Sequence, residues 1–294
     1  MKMMRSTLTK LAFAALAGAC LAMPLSPATA AGDRVNPPRS SWSFAGPFGT
    51  FDQAQLQRGF KVYREVCSSC HSINLLKFRN LSQAGGPGFT PAQVANLAAE
   101  YKIKDGPNDQ GEMFERAGRA ADAFPSPHAN ELAARSANGG AYPPDFSVLA
   151  KARTYERGFP MFIVDIFTQY QENGPDYITA LLKGYDEAPK GMTLLPGQNY
   201  NTYMPGHIIA MAKPINDGQV DYPKGADGKA SAPETVDQYA KDVTAFMMWS
   251  AEPHLNARKQ LGLQVMLFLL VLGGLLYFTK KKIWARLPEY ANGH

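Results

Sequence analysis

Cysteine is nearly missing from this sequence. Three occur in 294 residues, at Cys20, Cys67 and Cys70, so no disulfide framework can hold the chain together. A second cysteine pair is absent too, which excludes a four-ligand structural zinc site built on thiolates. Strand-like alternation is scarce, and there is no internal repeat or low-complexity segment. The outer body also lacks a basic excess. Of the 30 Lys and Arg residues, three lie in the first ten positions and six between Arg258 and Arg286, so residues 31–257 hold 21 basic against 24 acidic side chains. The sequence pI near 9.0 therefore reflects the two ends of the chain and gives no argument for nucleic acid; the acidic body suits a basic partner.

What is present begins with those ends. Met1–Lys10 carries Lys2, Arg5 and Lys10 and no acid, Leu11–Leu25 is apolar, and Ala28-Thr29-Ala30 offers a small-x-small cleavage site. This is the layout of a secretory signal peptide over 1–30, and Cys20 leaves with it. A lipoprotein site at Ala17-Gly18-Ala19-Cys20 is the alternative, but Ala17 stands where leucine is usual. Near the other end, Leu261–Thr279 runs nineteen residues without a charge, which spans about 28 Å as a helix and is enough to cross a bilayer. Arg258 and Lys259 precede it, and Lys280, Lys281, Lys282 and Arg286 follow. The larger basic cluster marks the cytoplasmic side. The sequence thus predicts a signal peptide (1–30), a periplasmic body (31–257), a single-pass anchor in the cell (inner) membrane (258–282) and a cytoplasmic tail (283–294).

The body is expected to be mainly α with long loops, given 26 glycines and 22 prolines in the chain. Three helices stand out. The first covers about 51–71, with Thr50 and Gln53 as a capping box and Leu56, Phe60, Tyr63 and Cys67 on one face. A second covers about 176–183, buries Tyr177, Ile178, Leu181 and Leu182, and closes at Gly184. The third starts at Ser231 with Glu234 as its capping partner and Pro233 in the first turn. It turns Val236, Ala240, Val243 and Met247 inward and runs to Trp249.

The two remaining cysteines stand in "FKVYREVCSSCHSI", so Cys67, Cys70 and His71 leave one face of a helical turn. Two thiols at that spacing match the two vinyl groups of a porphyrin, with the imidazole carried beneath the iron. C-x-x-C-H is the attachment signature of c-type haem, formed outside the cytoplasm. A thioredoxin-like pair would belong at a strand-to-helix turn of a parallel sheet, and a plain disulfide would leave His71 without a role. For the sixth iron ligand, the Gly/Pro-punctuated loop "YMPGHIIAMAKPIN" offers Met204, His207 and Met211, and spacing does not choose among them. One-electron transfer competes with a membrane-anchored haem sensor or ligand-binding module whose sixth ligand exchanges. A peroxidase-like enzyme would need a distal acid/base pair, and none is identified.

In order along the chain, "FDQAQLQRGFKVYREVCSSCHSI", "AYPPDFSVLAKAR", "DYITALLKGY" and "KDVTAFMMWSAEPHLNARKQLGLQVM" resemble the cytochrome c1 family across nearly the whole mature sequence. The resemblance implies a class I cytochrome c-like haem domain with one covalent haem c on Cys67 and Cys70. From its place in "HIIAMAKPI", Met211 corresponds to the family's axial methionine opposite His71, while Met204 falls at a position usually aromatic. Arg153 corresponds to an arginine near the haem propionates; a solvated arginine beside Lys151 is the alternative. The resemblance also implies cytochrome b and a Rieske iron–sulfur protein as partners, a cytochrome c as acceptor, and a dimeric ubiquinol:cytochrome c reductase. On that reading the isolated chain is an electron-transfer subunit of an oxidoreductase complex that transfers no proton or group and needs no general acid or base. One segment departs from the family: "TYERGFPMFIVDIFTQYQENGP", 154–175, is longer and more apolar than in mitochondrial members, and reads as packing against a partner or as a cover over the core.

Overall fold

The computed structural model describes residues 35–285 apart from 156, 226 and 227. The first helix, α1 (Gln53–Glu65), starts two residues later than the sequence pattern suggests and ends six earlier. Its cap is Asp52, whose carboxylate accepts from Gln55 N (2.8 Å), rather than the pair Thr50 and Gln53. The reason is tertiary: Phe51 is buried and its N–H donates to Asn256 Oδ1 (3.1 Å), which holds the chain extended up to Asp52. A 3-10 turn, Cys67–Ser69, follows α1.

Helix α1 packs along α7 (Val236–Ala251), and Gly59 is where the two backbones meet. A Cβ there would stand 2.0 Å from the Asp242 carbonyl oxygen, so only glycine permits this approach. Phe60 and Phe246 lie 5.5 Å apart across the contact, Tyr63 stacks on Phe246 at 5.7 Å, and Trp249 is fully buried below. Burying three or four such rings removes the surface that most strongly drives the two helices together. Asp242 is buried in the same contact and fully engaged. It pairs with Arg58 (2.8 Å) and accepts from Tyr222 Oη and Gln238 Nε2 (2.8 Å each), as a carboxylate without water must.

The start of α7 also differs from expectation. Its cap is Thr235, accepting from Gln238 N. Ser231 instead donates its N–H to the Pro223 carbonyl, and Glu234 accepts from Tyr222 N (2.7 Å), so partners in the preceding loop take the two residues that the pattern assigns to a capping box. Val236, Ala240, Val243 and Met247 do face the core.

Between α1 and α7 lie a 3-10 turn (Phe78–Ser82), α2 (Pro91–Ala99), the antiparallel hairpin β1 (Lys102–Asp105) and β2 (Phe114–Ala117), α3 (Glu131–Ala137), α4 (Leu149–Ala152) and α5 (Met161–Thr168). Then come α6 (Asn173–Lys183) and a two-residue hairpin of β3 (Asn199–Tyr200) with β4 (Ile208–Ile209). Helix α6 packs on α7 and buries Ile178 and Leu182, while Tyr177 and Leu181 remain half-buried. Gly184 caps it without entering the left-handed region; a side chain there would meet the Tyr203 ring at 2.6 Å. The body is mainly helical, and its two sheets are short ribbons.

The last helix, α8 (Leu255–Trp284), is the only one among the described residues long and apolar enough to cross a membrane, with a mean hydropathy of 2.2 over its apolar window and none of that window buried. Its first turn is tied to the body: Leu255 is buried, and Lys259 Nζ donates to the carbonyls of Phe44 and Gly46 (2.6 Å each) and Gly49 (3.2 Å). The segment 1–30 expected to be a signal peptide lies outside the described residues.

Candidate cofactor site

After α1 ends at Glu65, Cys70 N and His71 N both donate to the Cys67 carbonyl, at 3.1 and 2.9 Å. The motif therefore sits on a tight turn beyond the helix, and the turn still brings Cys67, Cys70 and His71 together. Both cysteines are free thiols. Burial pushes the Cys67 thiol up to about 12, with Cys70 adding to it. It remains a protonated, unpaired thiol at neutral pH.

His71 is fixed from two directions. Its Nδ1 lies 2.8 Å from the Pro144 carbonyl oxygen, and its ring stacks on Phe146 at 4.3 Å. Burial pushes the imidazole below its ordinary value, opposed by the Pro144 bond and the charge on Asp145. A neutral ring that donates from Nδ1 keeps its lone pair on Nε2, and the carbonyl sets the ring's orientation.

The same segment is itself anchored. Asp145 accepts from Ser72 Oγ (2.7 Å), Asn74 N (2.9 Å) and Ser147 N (2.8 Å). Ser147 Oγ accepts from Leu75 N (3.0 Å), and Phe146 N donates to the Ser72 carbonyl (2.8 Å). Burial works to raise Asp145, but these donors outweigh it and hold the carboxyl below its usual range. Residues 144–147 are thus clamped onto 72–75, directly after the cysteine–histidine turn. The sequence singles out Pro144 and Asp145 only through the family resemblance; periodicity carries no signal for a contact seventy residues apart.

The loop proposed to supply a sixth ligand is held differently. Met211 is half-buried and packs against the core, and its carbonyl accepts from Tyr185 Oη (3.1 Å) and Asn199 Nδ2 (3.3 Å). Met204 Sδ accepts from Tyr177 Oη at 3.7 Å, so its thioether already has a partner. His207 adopts φ +61° in the turn, stacks on Tyr200 at 5.6 Å and places Nδ1 3.4 Å from the Asn201 carbonyl. Arg153 is exposed just past the end of α4. Tyr185, Asn199 and Asn201 were not singled out from the sequence, because lone polar residues in a loop carry no pattern.

Cys70 opens onto a cleft walled by Ser72, Asn74, His128, Asn130 and Tyr142. Among the described residues no three His, Cys, Asp or Glu side chains converge, so the protein's own groups form no zinc cage. Two free thiols and one oriented imidazole on a single turn fit a macrocycle that brings its own four equatorial ligands.

The profile of the Cytochrome C1 family matches residues 42–287. A protein named cytochrome b/c1 from Bradyrhizobium diazoefficiens is 59% identical over 270 residues, which are 92% of this chain but 38% of that relative's length. Cytochrome c1 of Blastochloris viridis is 50% identical over 260 residues, covering 88% of this chain and 89% of that one. The mitochondrial cytochrome c1 heme protein of Saccharomyces cerevisiae is 43% identical over 258 residues, 87% of this chain and 75% of its own. With the family profile running through the turn, the clamped segment, the loop and the whole apolar helix, this chain belongs to the cytochrome c1 family.

Proposed function

We propose that the chain carries one covalent haem c and passes single electrons through it as a subunit of a ubiquinol:cytochrome c reductase. The observation that carries this reading is the His71 imidazole, bonded through Nδ1 to Pro144 and stacked on Phe146, beside two unpaired thiols. Cys67 and Cys70 would hold the porphyrin, and His71 Nε2 and Met211 Sδ would be the axial ligands. When bound, the haem supplies a one-electron iron couple, which a histidine–methionine pair sets at a comparatively high potential. The protein's part is to fix the imidazole, press the thioether loop inward and keep water away. Phe146 and the core packed against Cys67 and Met211 supply the apolar surroundings. Arg153, exposed at the end of α4, is proposed to reach a propionate; this rests on the family resemblance.

On the same reading, α8 is a single-pass anchor, with Lys280, Lys281 and Lys282 on the cytoplasmic side and the haem body in the periplasm. Electrons arrive from a Rieske iron–sulfur protein and leave to a cytochrome c, within a dimeric complex that contains cytochrome b. The relative whose name joins b and c1 supports the cytochrome b partnership. Purification of the full chain from membranes in mild detergent tests this: cytochrome b and a Rieske protein should co-elute with a covalent haem. A chain that elutes alone, or whose oxidised spectrum lacks the weak red-end band of methionine ligation, contradicts it.

A further inference from the structure

The segment 154–175 builds an unusual surface. Helix α5 reads Met-Phe-Ile-Val-Asp-Ile-Phe-Thr, and none of its residues is buried. It therefore does not cover the core, which was one of the two roles its sequence allowed. Phe167 is 83% exposed, Phe159 just ahead of the helix 80%, and Ile166 68%.

The foot of this segment is nevertheless firmly built. Asp165, the one acid of α5, turns to Arg157 and lies 3.7 Å from Arg39, so the helix itself carries no bare carboxylate among its apolar residues. Both guanidinium groups lie over Tyr170, at 4.1 Å for Arg39 and 5.0 Å for Arg157. Tyr170 Oη donates to the buried Asp176 (2.5 Å), which also accepts from Trp42 Nε1 (2.8 Å). Gln169 ends the helix at φ +54°, and Gln169, Gln171 and Glu172 share a cleft with Leu255, Arg258 and Lys259. Those last three form the first turns of α8, immediately before its uncharged run.

We infer that α5, with Phe159, is an interfacial foot that inserts its apolar side chains into the outer leaflet of the bilayer beside the anchor. The inference rests on the proposed membrane crossing of α8. The position of the foot favours lipid over a protein groove: the cleft it shares with Leu255, Arg258 and Lys259 sets it beside the first turns of α8, where the chain enters the bilayer. Phe159, Phe162, Ile163, Ile166 and Phe167 fall at i, i+3, i+4, i+7 and i+8, one apolar face of the kind an interfacial helix lays into the headgroup and acyl boundary. An exposed apolar patch of this kind on a soluble surface would be an aggregation site, and at the membrane it is satisfied. The foot and the span then hold the body at two points, limiting its tilt against the membrane.

Photocrosslinking in native membranes tests this with the full chain. p-Benzoylphenylalanine is placed singly at Phe167, at Phe159, at Leu270 within the span and at the exposed Leu132 on α3. The foot predicts phospholipid adducts on the peptides carrying positions 167 and 159, as at position 270, and none at 132. Adducts to another polypeptide at 167 and 159, or no adduct there while position 270 still captures lipid, overturn the foot and leave the span standing. A position 270 that captures no lipid overturns the span and the foot together.

Discussion

The two flanks of the proposed iron site are held by different means. On the His71 side, four hydrogen bonds join residues 144–147 to 72–75, two of them to the Asp145 carboxylate and one to the Ser147 hydroxyl, and a fifth fixes the imidazole itself. On the Met211 side, two side chains hold one backbone carbonyl and nothing but packing holds the thioether. An imidazole needs its ring plane and tautomer set, which takes directional bonds; a flexible thioether needs only to be pressed into place. The histidine flank should accordingly be the rigid one, and the methionine flank the one that yields.

The largest effect comes from removing what both flanks share. In the Cys67→Ser, Cys70→Ser double variant neither flank has a porphyrin to hold, and haem staining on a denaturing gel should vanish. Wild-type staining would place the covalent attachment elsewhere.

Next is the rigid flank. Asp145→Ala strips the acceptor from Ser72 Oγ, Asn74 N and Ser147 N, and should cost about 2–4 kcal/mol in unfolding followed by haem absorbance. The acid dependence has a definite sign. Asp145 titrates below its ordinary value in the fold, so its contribution is complete above about pH 4 and is lost as pH falls through the lowered folded value. Asp145→Asn should therefore lose less stability than wild type over that acid range. An equal loss would show that the clamp does not depend on the charge.

The yielding flank gives a smaller effect. Tyr185→Phe removes one of the two donors to the Met211 carbonyl, worth about 1 kcal/mol. That corresponds to about a fivefold easier displacement of the sixth ligand, measured by titrating the oxidised protein with imidazole. No change would mean that the loop is held by packing alone.

Much of this contrast was legible in the sequence and part was not. The cysteine–histidine turn reads directly, because thiols are so few that Cys67 and Cys70 must act together. The helix starts differ for one reason: Thr50, Gln53, Ser231 and Glu234 form good local caps, but tertiary partners compete, Asn256 from 205 residues away for the first and Tyr222 in the preceding loop for the second. Helix α5 is not legible either, since six apolar residues in eight suit a strand, a core or a surface equally well. Tyr185 and Asn199 act through one carbonyl whose position depends on the whole fold. The choice of Met211 over Met204 came from resemblance; the structure adds that Met204 already has Tyr177 as its partner.

The central claim is that His71 and Met211 complete the iron's coordination, and a redox titration of the full chain tests it most directly. A thioether favours ferrous iron, so its loss lowers the potential. Met211→Leu should keep the covalent haem yet drop the potential by a sizeable part of the roughly 0.8 V that axial ligands control. Met204→Leu should leave it near wild type. If Met204→Leu collapses the potential while Met211→Leu preserves it, the methionine assignment is wrong.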